Sequence, residues 1–284
     1  MKTSKLVIIT PSYMNSDSRI AFAQRSFESL RLCLGEETPV IVVDDIPRIH
    51  ARFPWRLIPD MKYFRAAAGV YVGKKNVTLL RRYGRGSTQA YLKGLKYARQ
   101  QGYRYVFMHM DDNCYLPVAG PLVQQAVRAM DDDESLGVVR MTCYPMVGSF
   151  CNPELGNKTL LTIRDESVSF EQIKLTPRRY EDFTLWSSPY QPESNDGTFH
   201  PLTLWSVIYR IDFLEKLLSH PDLRQCLHLT HAESYYRKPE HYREFMSWYQ
   251  GKFGFINMQY VGYETHQNEG RWQEIVNRPN TPVL

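Results

Sequence analysis

The chain has 284 residues, of which 43% are hydrophobic and 23% charged, and its formal net charge is +5 at pH 7. This composition is that of a globular protein with a sizeable core, and it excludes a disordered or fibrous chain. The small positive excess is spread along the sequence and argues against nucleic-acid binding, whereas it suits an anionic substrate or a peripheral contact with an anionic membrane surface.

The sequence predicts no membrane-spanning segment, no secretory signal and no disulfide framework. No apolar run approaches the roughly 20 residues that span a bilayer, and the short apolar run at residues 6–9 is below the length of a secretory signal. The five cysteines are odd in number and form no Cys-X-X-Cys pair, a pattern typical of reduced thiols. We therefore expect a cytoplasmic protein without an integral membrane segment, located in the cytosol or at the inner face of the membrane.

The first half of the chain alternates strand and helix patterns. Predicted strands cover residues 5–10, 40–45, 77–80, 105–110 and 138–144. Predicted helices begin near Ser16 or Asp17, at residue 87 and near residue 122, and Gly35 and Gly102 end the first two. Strands separated by helices predict an α/β fold with a mainly parallel sheet flanked by helices.

The second half is less regular. Residues 145–200 are polar and rich in Pro, Ser and aromatic residues. Beyond them, the patterns predict strands at 202–209 and 255–261, a helix at 212–218, and partly helical structure over 231–250. We expect a single domain with two functional lobes.

Polar residues lie at or directly after the ends of three of the predicted strands. They are Thr10-Pro11-Ser12-Tyr13, Asp44-Asp45 and Asp111-Asp112-Asn113. Because ligands of open α/β sheets bind at the carboxyl ends of the strands, these side chains predict a ligand site. Carboxylates suit Mg²⁺ or Mn²⁺, and the segment that contains Arg82, Arg85, Gly86 and Ser87 offers cations and backbone N–H groups to a diphosphate.

These motifs, in this order, resemble the nucleotide-binding half of GT-A glycosyltransferases, especially those of family 2. The family has a Pro-Ser/Thr-Tyr turn after its first strand, Val-Val-Asp-Asp at the end of its second, and a Gly-rich segment that starts a helix, as at Gly86. An Asp-X-Asp motif that binds the metal and the donor phosphates follows another apolar strand. The resemblance covers about residues 5–120 and implies a GT-A (Rossmann-like) fold, with residues 121–284 as the acceptor-binding half.

The resemblance assigns roles to the residues that match the family motifs. It implies contacts between a nucleotide-sugar donor and Pro11, Ser12, Tyr13, Asp44, Asp45, Arg85, Gly86, Asp111 and Asp112. It implies Asp111, Asn113 and a late histidine, His266, as ligands of Mn²⁺ or Mg²⁺. Asn113 stands where the family has a second Asp, which removes one charge from the metal site, and a shift in register would make Asp112 the main ligand.

The acceptor half of this family usually supplies the catalytic base. Glu233 lies where that residue is expected, although the family's acidic dipeptide is absent, and Asp196 is a rival. A retaining enzyme of this fold would use no such base, so the stereochemistry stays open. His109 lies inside an apolar strand and is expected to be a hydrogen-bonded core residue.

The implied activity is transfer of a sugar from a nucleotide-sugar to a hydroxyl of a glycan or lipid-linked acceptor, as in polysaccharide biosynthesis. Two alternatives remain. One is a non-catalytic binding or scaffold protein with a GT-A fold, suggested by Asn113 and by the missing acidic dipeptide. The other is a sugar-phosphate nucleotidyltransferase, although the Gly-rich loop expected after its first strand is missing here. Donor base, acceptor, linkage and oligomeric state do not follow from the sequence.

Overall fold

A computed structural model describes the strands and helices of this chain and most of the connections in its first half. The described residues are 5–14, 16–46, 66–83, 86–111, 113–115, 119–140, 159–163, 166–169, 176–179, 184–189, 207–218, 252–256 and 263–264. Within these residues, no helix is both long enough and apolar enough to cross a membrane.

Five helices and thirteen strands lie in the described residues. The helices are α1 (Asp17–Leu34), α2 (Ala66–Tyr71), α3 (Ser87–Gln100), α4 (Ala119–Asp132) and α5 (Ile211–Leu218). The first six strands are β1 (Leu6–Ser12), β2 (Val40–Ile46), β3 (Val77–Tyr83), β4 (Tyr105–Met108), β5 (Asn113–Cys114) and β6 (Leu136–Arg140). The later strands are β7 (Thr159–Ile163), β8 (Glu166–Ser169), β9 (Thr176–Arg179), β10 (Thr184–Pro189), β11 (Val207–Arg210), β12 (Lys252–Ile256) and β13 (Tyr263–Glu264).

Nine strands form one sheet, in the order β3-β2-β1-β4-β11-β6-β12-β10-β9. The first four are parallel neighbours, in the order 3-2-1-4 that is also found in a Rossmann sheet. β11 runs antiparallel between β4 and β6, and β10 runs antiparallel to both of its neighbours. The other seven strands therefore share one direction, which confirms the predicted mixed, mainly parallel α/β sheet. β11 also inserts a strand of the second half between two strands of the first.

The core lies on both faces of this sheet. Along β1, Leu6 and Ile8 pack on one face with α1, α2 and α4, whereas Val7 and Ile9 pack on the other with α3 and α5. This alternation follows from the two-residue period of a strand. Because both faces are covered, β1 is a continuous apolar run up to its last residues.

Two glycines and one serine determine how helices meet the sheet. Ser16 caps α1 by accepting a hydrogen bond from the Arg19 N–H at 3.2 Å. Gly35, at φ 78°, ends the helix as predicted. Gly94 brings α3 against β1, since a Cβ at this position would lie 2.7 Å from Cγ2 of Ile9.

Element boundaries in the second half differ from the predicted ones. β11 continues to residue 210, one residue beyond the strand predicted at 202–209, and β12 begins three residues before the strand predicted at 255–261. The fifth predicted strand, 138–144, overlaps β6, which begins two residues earlier, at residue 136. Residues 141–144, 202–206 and 257–261 lie outside the described residues. Strands β7 to β10 fall in the stretch predicted to be polar and irregular. Their side chains are short and polar at several positions, so they carry little of the apolar pattern on which strand prediction depends. The segment 231–250 lies outside the described residues.

Candidate functional site

The three predicted strand ends lie side by side. Ser12 is paired in register with Asp44 on β2, and Ile9 with Met108 on β4, three residues before Asp111. Because these strands are parallel, their carboxyl ends form one edge of the sheet. The prediction that these strand ends lie side by side is confirmed.

Asp111 is held in a fixed position beside the turn that follows β1. Its side chain is 3% exposed. Its Oδ2 accepts a hydrogen bond from the Tyr13 N–H at 3.3 Å, and its Oδ1 lies 3.1 Å from Nη2 of Arg19. One carboxylate therefore joins the end of β1, the start of α1 and the segment after β4.

Asp44 is the second buried acid at this edge, and its carboxylate is less completely hydrogen-bonded than that of Asp111. It is 4% exposed, and its Oδ2 is buried without a hydrogen-bond partner in the described part of the chain. Burial raises the pKa of its carboxyl to about 6; Arg81 opposes this shift, and the charges of Asp45 and Asp111 add to it. A buried carboxylate oxygen without a partner is costly, so Asp44 has capacity for a ligand's donor group.

Asp45 has a different local role. Its Oδ2 accepts a hydrogen bond from the backbone N–H of Gly86 at 2.9 Å. Gly86 has φ 82° and precedes the first residue of α3, a conformation that favours glycine. Asp45 thereby fixes the start of α3 next to the carboxyl edge, where the backbone N–H groups of a helix start could meet an anion.

His109 lies in the core beneath Asp111, as predicted. Its Nδ1 lies 2.8 Å from Oγ1 of Thr10 and its Nε2 lies 2.9 Å from Oγ of Ser26. Nε2 is also 3.3 Å from the carbonyl oxygen of Asn113. Since a carbonyl can only accept, these neighbours assign the proton to Nε2 and leave Nδ1 to accept from Thr10.

The histidine network braces the turn that carries Asp111. The Ser26 hydroxyl is also within hydrogen-bonding reach of the Asn113 carbonyl oxygen, and the Tyr91 hydroxyl donates to the His109 carbonyl oxygen at 2.7 Å. The residues on both sides of Asp111 are therefore tied to α1, α3 and β1. Such buried, satisfied networks rigidify the segment that they hold.

Tyr71, in α2, is a site neighbour that sequence reasoning missed. Burial raises the pKa of its phenol, the charge of Asp111 adds to this shift, and the Ser12 hydroxyl opposes it. The Tyr71 and Ser12 hydroxyls are thus close enough to influence each other, although no hydrogen bond of normal geometry joins them. The segment before α2 shows no clear pattern, so no sequence signal placed Tyr71 here.

Arg19 is the other missed residue. Its partner Asp111 is 92 positions away in the sequence, so the pairing is invisible before folding. The available signal is a basic residue in the first turn of a helix, where the helix dipole disfavours positive charge.

A second, small sheet brings a distant segment to the site. β5 pairs antiparallel with β13, with Asn113 opposite Glu264. His266 follows Glu264 by two positions and lies outside the described residues, as do Arg85, Asp112, Asp196 and Glu233. Of the other predicted residues, Pro11 and Ser12 are buried at the end of β1, and Tyr13 is 41% exposed beside Asp111.

The donor atoms at this edge suit a hard divalent cation only in part. Carboxylate and amide oxygens, such as those of Asp111 and Asn113, are ligands that Mg²⁺ and Mn²⁺ accept. Across the described residues, however, no three His, Cys, Asp or Glu side chains gather closely enough to hold a metal ion. Asp111 is, in addition, already paired with a guanidinium group.

Sequence comparisons assign this chain to no family: no family model matches it, and no curated protein matches it significantly. Among solved structures, it is similar to S. aureus TarS 1–349, with 13% identity over 92% of this chain and 60% of that chain, and a TM-score of 0.47. For the same fragment in complex with UDP-GlcNAc, the identity is 14% over 91% of this chain and 57% of that chain, and the TM-score is 0.45.

A third similar structure is the mannosyltransferase PcManGT from Pyrobaculum calidifontis, in complex with GDP-Man and Mn²⁺. Its identity is 19% over 50% of this chain and 36% of that chain, and the TM-score is 0.35. The chain thus spans about 60% of the TarS fragment and a smaller share of PcManGT. Likenesses this distant assign no ligand to this chain, and its fold class follows from its own strand order.

Proposed function

We propose that this chain is a nucleotide-sugar-dependent glycosyltransferase whose donor binds at the carboxyl edge of β1, β2 and β4. The observation that carries this proposal is the pair of buried acids at that edge. Asp44 has a carboxylate oxygen without a hydrogen-bond partner among the described residues, and Asp111 is paired with the guanidinium group of Arg19 beside the exposed Tyr13. A buried carboxyl with a raised pKa, such as that of Asp44, at the carboxyl edge of an α/β sheet is typical of ligand sites.

The donor's two ends would use different residues. Asp44 would accept a hydrogen bond from the base or ribose, since its free oxygen is an acceptor and a nucleoside offers N–H and O–H donors. The diphosphate would lie beside Asp111, Asn113 and the start of α3 at Gly86. In this arrangement, residues 5–120 bind the donor, and residues 121–284 bind a glycan or lipid-linked acceptor.

The proposed cofactor is a divalent cation with Asp111, Asn113 and His266 as ligands, and a shift in register would make Asp112 the main ligand instead. When bound, Mn²⁺ or Mg²⁺ would offset the charge that develops on the leaving nucleoside diphosphate. Asp111 would hold its position through Tyr13, and the His109 network would keep the turn rigid. Glu233, or else Asp196, would take the proton from the acceptor hydroxyl.

Calorimetric titration tests the donor site. UDP, GDP, dTDP and CMP are titrated into the wild-type protein and into Asp111→Ala, each with and without Mn²⁺. We expect one nucleotide to bind, more tightly with Mn²⁺, and Asp111→Ala to weaken this binding by about 100-fold, since truncating one partner of a desolvated charge contact costs about 2–5 kcal/mol. Folded wild-type protein that binds none of the four would contradict the proposal.

Transfer is tested separately from binding. The nucleotide-sugar that carries the selected base is incubated with the protein, and release of the corresponding nucleotide (UDP, GDP, dTDP or CMP) is measured with and without candidate glycan or lipid-linked acceptors. Release supports the transferase. Nucleotide binding without release under any of these conditions favours the non-catalytic scaffold, for which the incomplete acid set at Asn113 is the specific observation.

A further inference from the structure

We infer that the surface around the edge strand β3 binds an anionic lipid bilayer. The inference goes beyond the proposed function and does not depend on it, because it concerns cations on the outside of the sheet rather than the acids at its carboxyl edge.

The positive charge of this chain is concentrated in one segment, contrary to the expectation that it is spread along the sequence. Residues 61–110 contain 11 Lys and Arg residues and no Asp or Glu, whereas the whole chain contains 35 and 30. The rest of the chain therefore has 24 basic and 30 acidic residues, a net charge of −6 against +11 for this segment. Such an asymmetry indicates an electrostatic contact surface.

The fold gathers cations of this segment along one side of the molecule. β3 is the strand at one end of the nine-stranded sheet. Lys74 lies in the exposed turn before β3, and Arg81 is exposed near the end of the strand. On α3, Lys93 donates a hydrogen bond to the carbonyl oxygen of Arg81, and Lys96 is exposed about one turn further along the helix. We call these four residues the β3 surface.

Acidic side chains neutralise cations beside the β3 surface. Lys75 pairs with Glu37. Arg99 pairs with Glu215 and lies 3.6 Å from Asp212. These ion pairs mark the two borders of the surface, one at the turn before β3 and the other where α3 meets α5.

The lysines of the β3 surface itself are not neutralised in this way. Lys74, Lys93 and Lys96 form no ion pair with any residue that the structure describes. Exposed cations without acidic neighbours repel one another, and an anionic partner would relieve that repulsion. Each cation near an anionic bilayer strengthens binding by about fivefold.

An exposed apolar residue favours a bilayer over another polyanion. Val72 is 64% exposed, and only Gly73 separates it from Lys74. An apolar side chain beside lysines can enter the interfacial region of a bilayer while the lysines meet the lipid phosphates. A nucleic acid offers no comparable environment to a valine.

One end of the β3 surface adjoins the candidate site. Arg81 is paired in register with Asp44, and its charge opposes the rise in the pKa of that carboxyl. A bilayer on the β3 surface would therefore lie beside the carboxyl edge of the sheet. This placement would suit the lipid-linked acceptor of the proposed function.

Vesicle sedimentation tests the inference with the full chain, in the absence of nucleotide. Vesicles of phosphatidylcholine alone are compared with vesicles in which about one-third of the lipid is phosphatidylglycerol. We expect the wild-type protein to bind only the anionic vesicles and to dissociate as the salt concentration rises.

Two double variants with the same net charge locate the contact. Lys74→Gln/Lys96→Gln removes two cations of the β3 surface and should weaken vesicle binding by about 30-fold. The matched control is Arg25→Gln/Arg128→Gln, which removes two exposed cations from α1 and α4, on the opposite face of the sheet from α3. The control should stay within about twofold of wild type, because distant exposed charges are screened.

A third variant tests the apolar contribution. Val72→Ser should weaken vesicle binding by about threefold, since part of one apolar side chain no longer leaves water. The charge is unchanged in this variant, so an unaltered affinity would overturn the bilayer as the partner.

The other contradicting outcomes are equally specific. The inference is overturned if wild type fails to bind anionic vesicles, if it binds neutral vesicles as well, or if both double variants lose affinity equally. Displacement from the vesicles by a short single-stranded RNA at equal phosphate concentration would assign the surface to a nucleic acid instead. Circular dichroism checks folding; if the double variant is unfolded, Lys96→Gln alone is used, and it should bind about fivefold more weakly.

The vesicle and nucleotide experiments fail independently. Protein that ignores vesicles but binds a nucleotide removes this inference and leaves the proposed function standing. Protein that binds anionic vesicles but no nucleotide does the reverse.

Discussion

Acidic side chains lie at both edges of the parallel sheet, but the contacts of these side chains differ between the two edges. At the amino edge, Asp131 contacts Lys5 at 3.1 Å, the Tyr105 hydroxyl at 2.7 Å and Arg104 at 3.5 Å. At the carboxyl edge, one buried oxygen of Asp44 has no hydrogen-bond partner within the part of the chain that the structure describes. Satisfied acids stabilise a fold, whereas a buried unsatisfied acid weakens it.

The pKa values of Asp44 and Asp131 are shifted in opposite directions, in agreement with their different contacts. Burial raises the pKa of Asp44 to about 6. Burial also acts to raise the pKa of Asp131, but hydrogen bonds from Tyr105 and Lys5 and the charges of Lys5 and Arg104 outweigh it and lower the pKa. The comparison indicates that the amino edge stabilises the fold, whereas the carboxyl edge retains a destabilising group; the proposed function assigns that group to a ligand.

The largest effect that we expect is a change in stability when Asp44 is substituted. Because its folded-state pKa is raised, the folded protein binds more protons between about pH 4 and pH 6, and stability falls as pH rises through that window. The ionised form therefore costs roughly 3 kcal/mol above pH 6. Asp44→Asn should increase the free energy of unfolding by up to about this amount at pH 8 and flatten its pH dependence, as measured by urea unfolding.

The same variant should lose nucleotide affinity, because an amide presents a weaker acceptor than a carboxylate. A variant that is both less stable at pH 8 and unchanged in nucleotide binding would contradict the assignment of Asp44 as a ligand-directed group.

Two substitutions of His109 distinguish its role in holding the turn after Asp111 from its role in core packing. In His109→Gln, the amide reaches the place of Nε2 and keeps the contacts with Ser26 and the Asn113 carbonyl; in His109→Asn, it reaches only the place of Nδ1, near Thr10. We expect both variants to lose about 2 kcal/mol of stability. Nucleotide affinity should fall about tenfold in His109→Asn but less than about threefold in His109→Gln, because only the latter holds the turn after Asp111.

Equal losses of nucleotide affinity in the two His109 variants, at matched stability, would show that the histidine serves packing alone. Calorimetric titration and urea unfolding of the same preparations give both quantities.

Gly86 tests whether backbone geometry at the carboxyl edge matters. Its φ of 82° is disfavoured for residues with a Cβ, so Gly86→Ala should destabilise the protein by about 1–2 kcal/mol and disturb the hydrogen bond to Asp45. Gly69→Ala is the control, since Gly69 lies in α2 with open space around an added Cβ. Urea unfolding should show Gly69→Ala to be neutral or slightly stabilised; an equal loss in both variants would refute the strain argument.

The smallest effect is expected at the amino edge. Asp131→Asn should reduce stability by about 1 kcal/mol at pH 7, since it weakens partly exposed ion pairs and one hydrogen bond. Because the folded-state pKa of Asp131 is lowered, its contribution is present at neutral pH and is lost as pH falls through that pKa. Its pH dependence is thus opposite in sign to that of Asp44, and nucleotide affinity should not change. Reduced nucleotide affinity in Asp131→Asn would break the distinction between the two edges.

The parts of the fold that were predictable are those with local signals. Strands buried on both faces are continuous apolar runs, so β1, β2 and β4 were evident, and the polar residues at their ends predicted the candidate site. The insertion of β11 was not predictable, because Val207 pairs with Met108 across the chain and such a pairing is decided by tertiary packing.

The same limit applies to the site. Asp44, Asp45 and Asp111 could be proposed because they follow strands, whereas Arg19 and Tyr71 reach the site only through the packing of α1 and α2. The sequence also could not distinguish Asp45, which holds Gly86, from Asp44, which keeps a free oxygen. The proposed acceptor-side residues Glu233 and Asp196 remain predictions.

The most direct test of the central claim is a crystal structure of the protein with Mn²⁺ and the nucleoside diphosphate selected by titration. The account predicts the diphosphate beside Asp111 and the turn at Ser12 and Tyr13, with the base or ribose within hydrogen-bonding distance of the Asp44 carboxylate. An ordered nucleotide on any other surface, or one at this edge that contacts neither Asp44 nor Asp111, would contradict it.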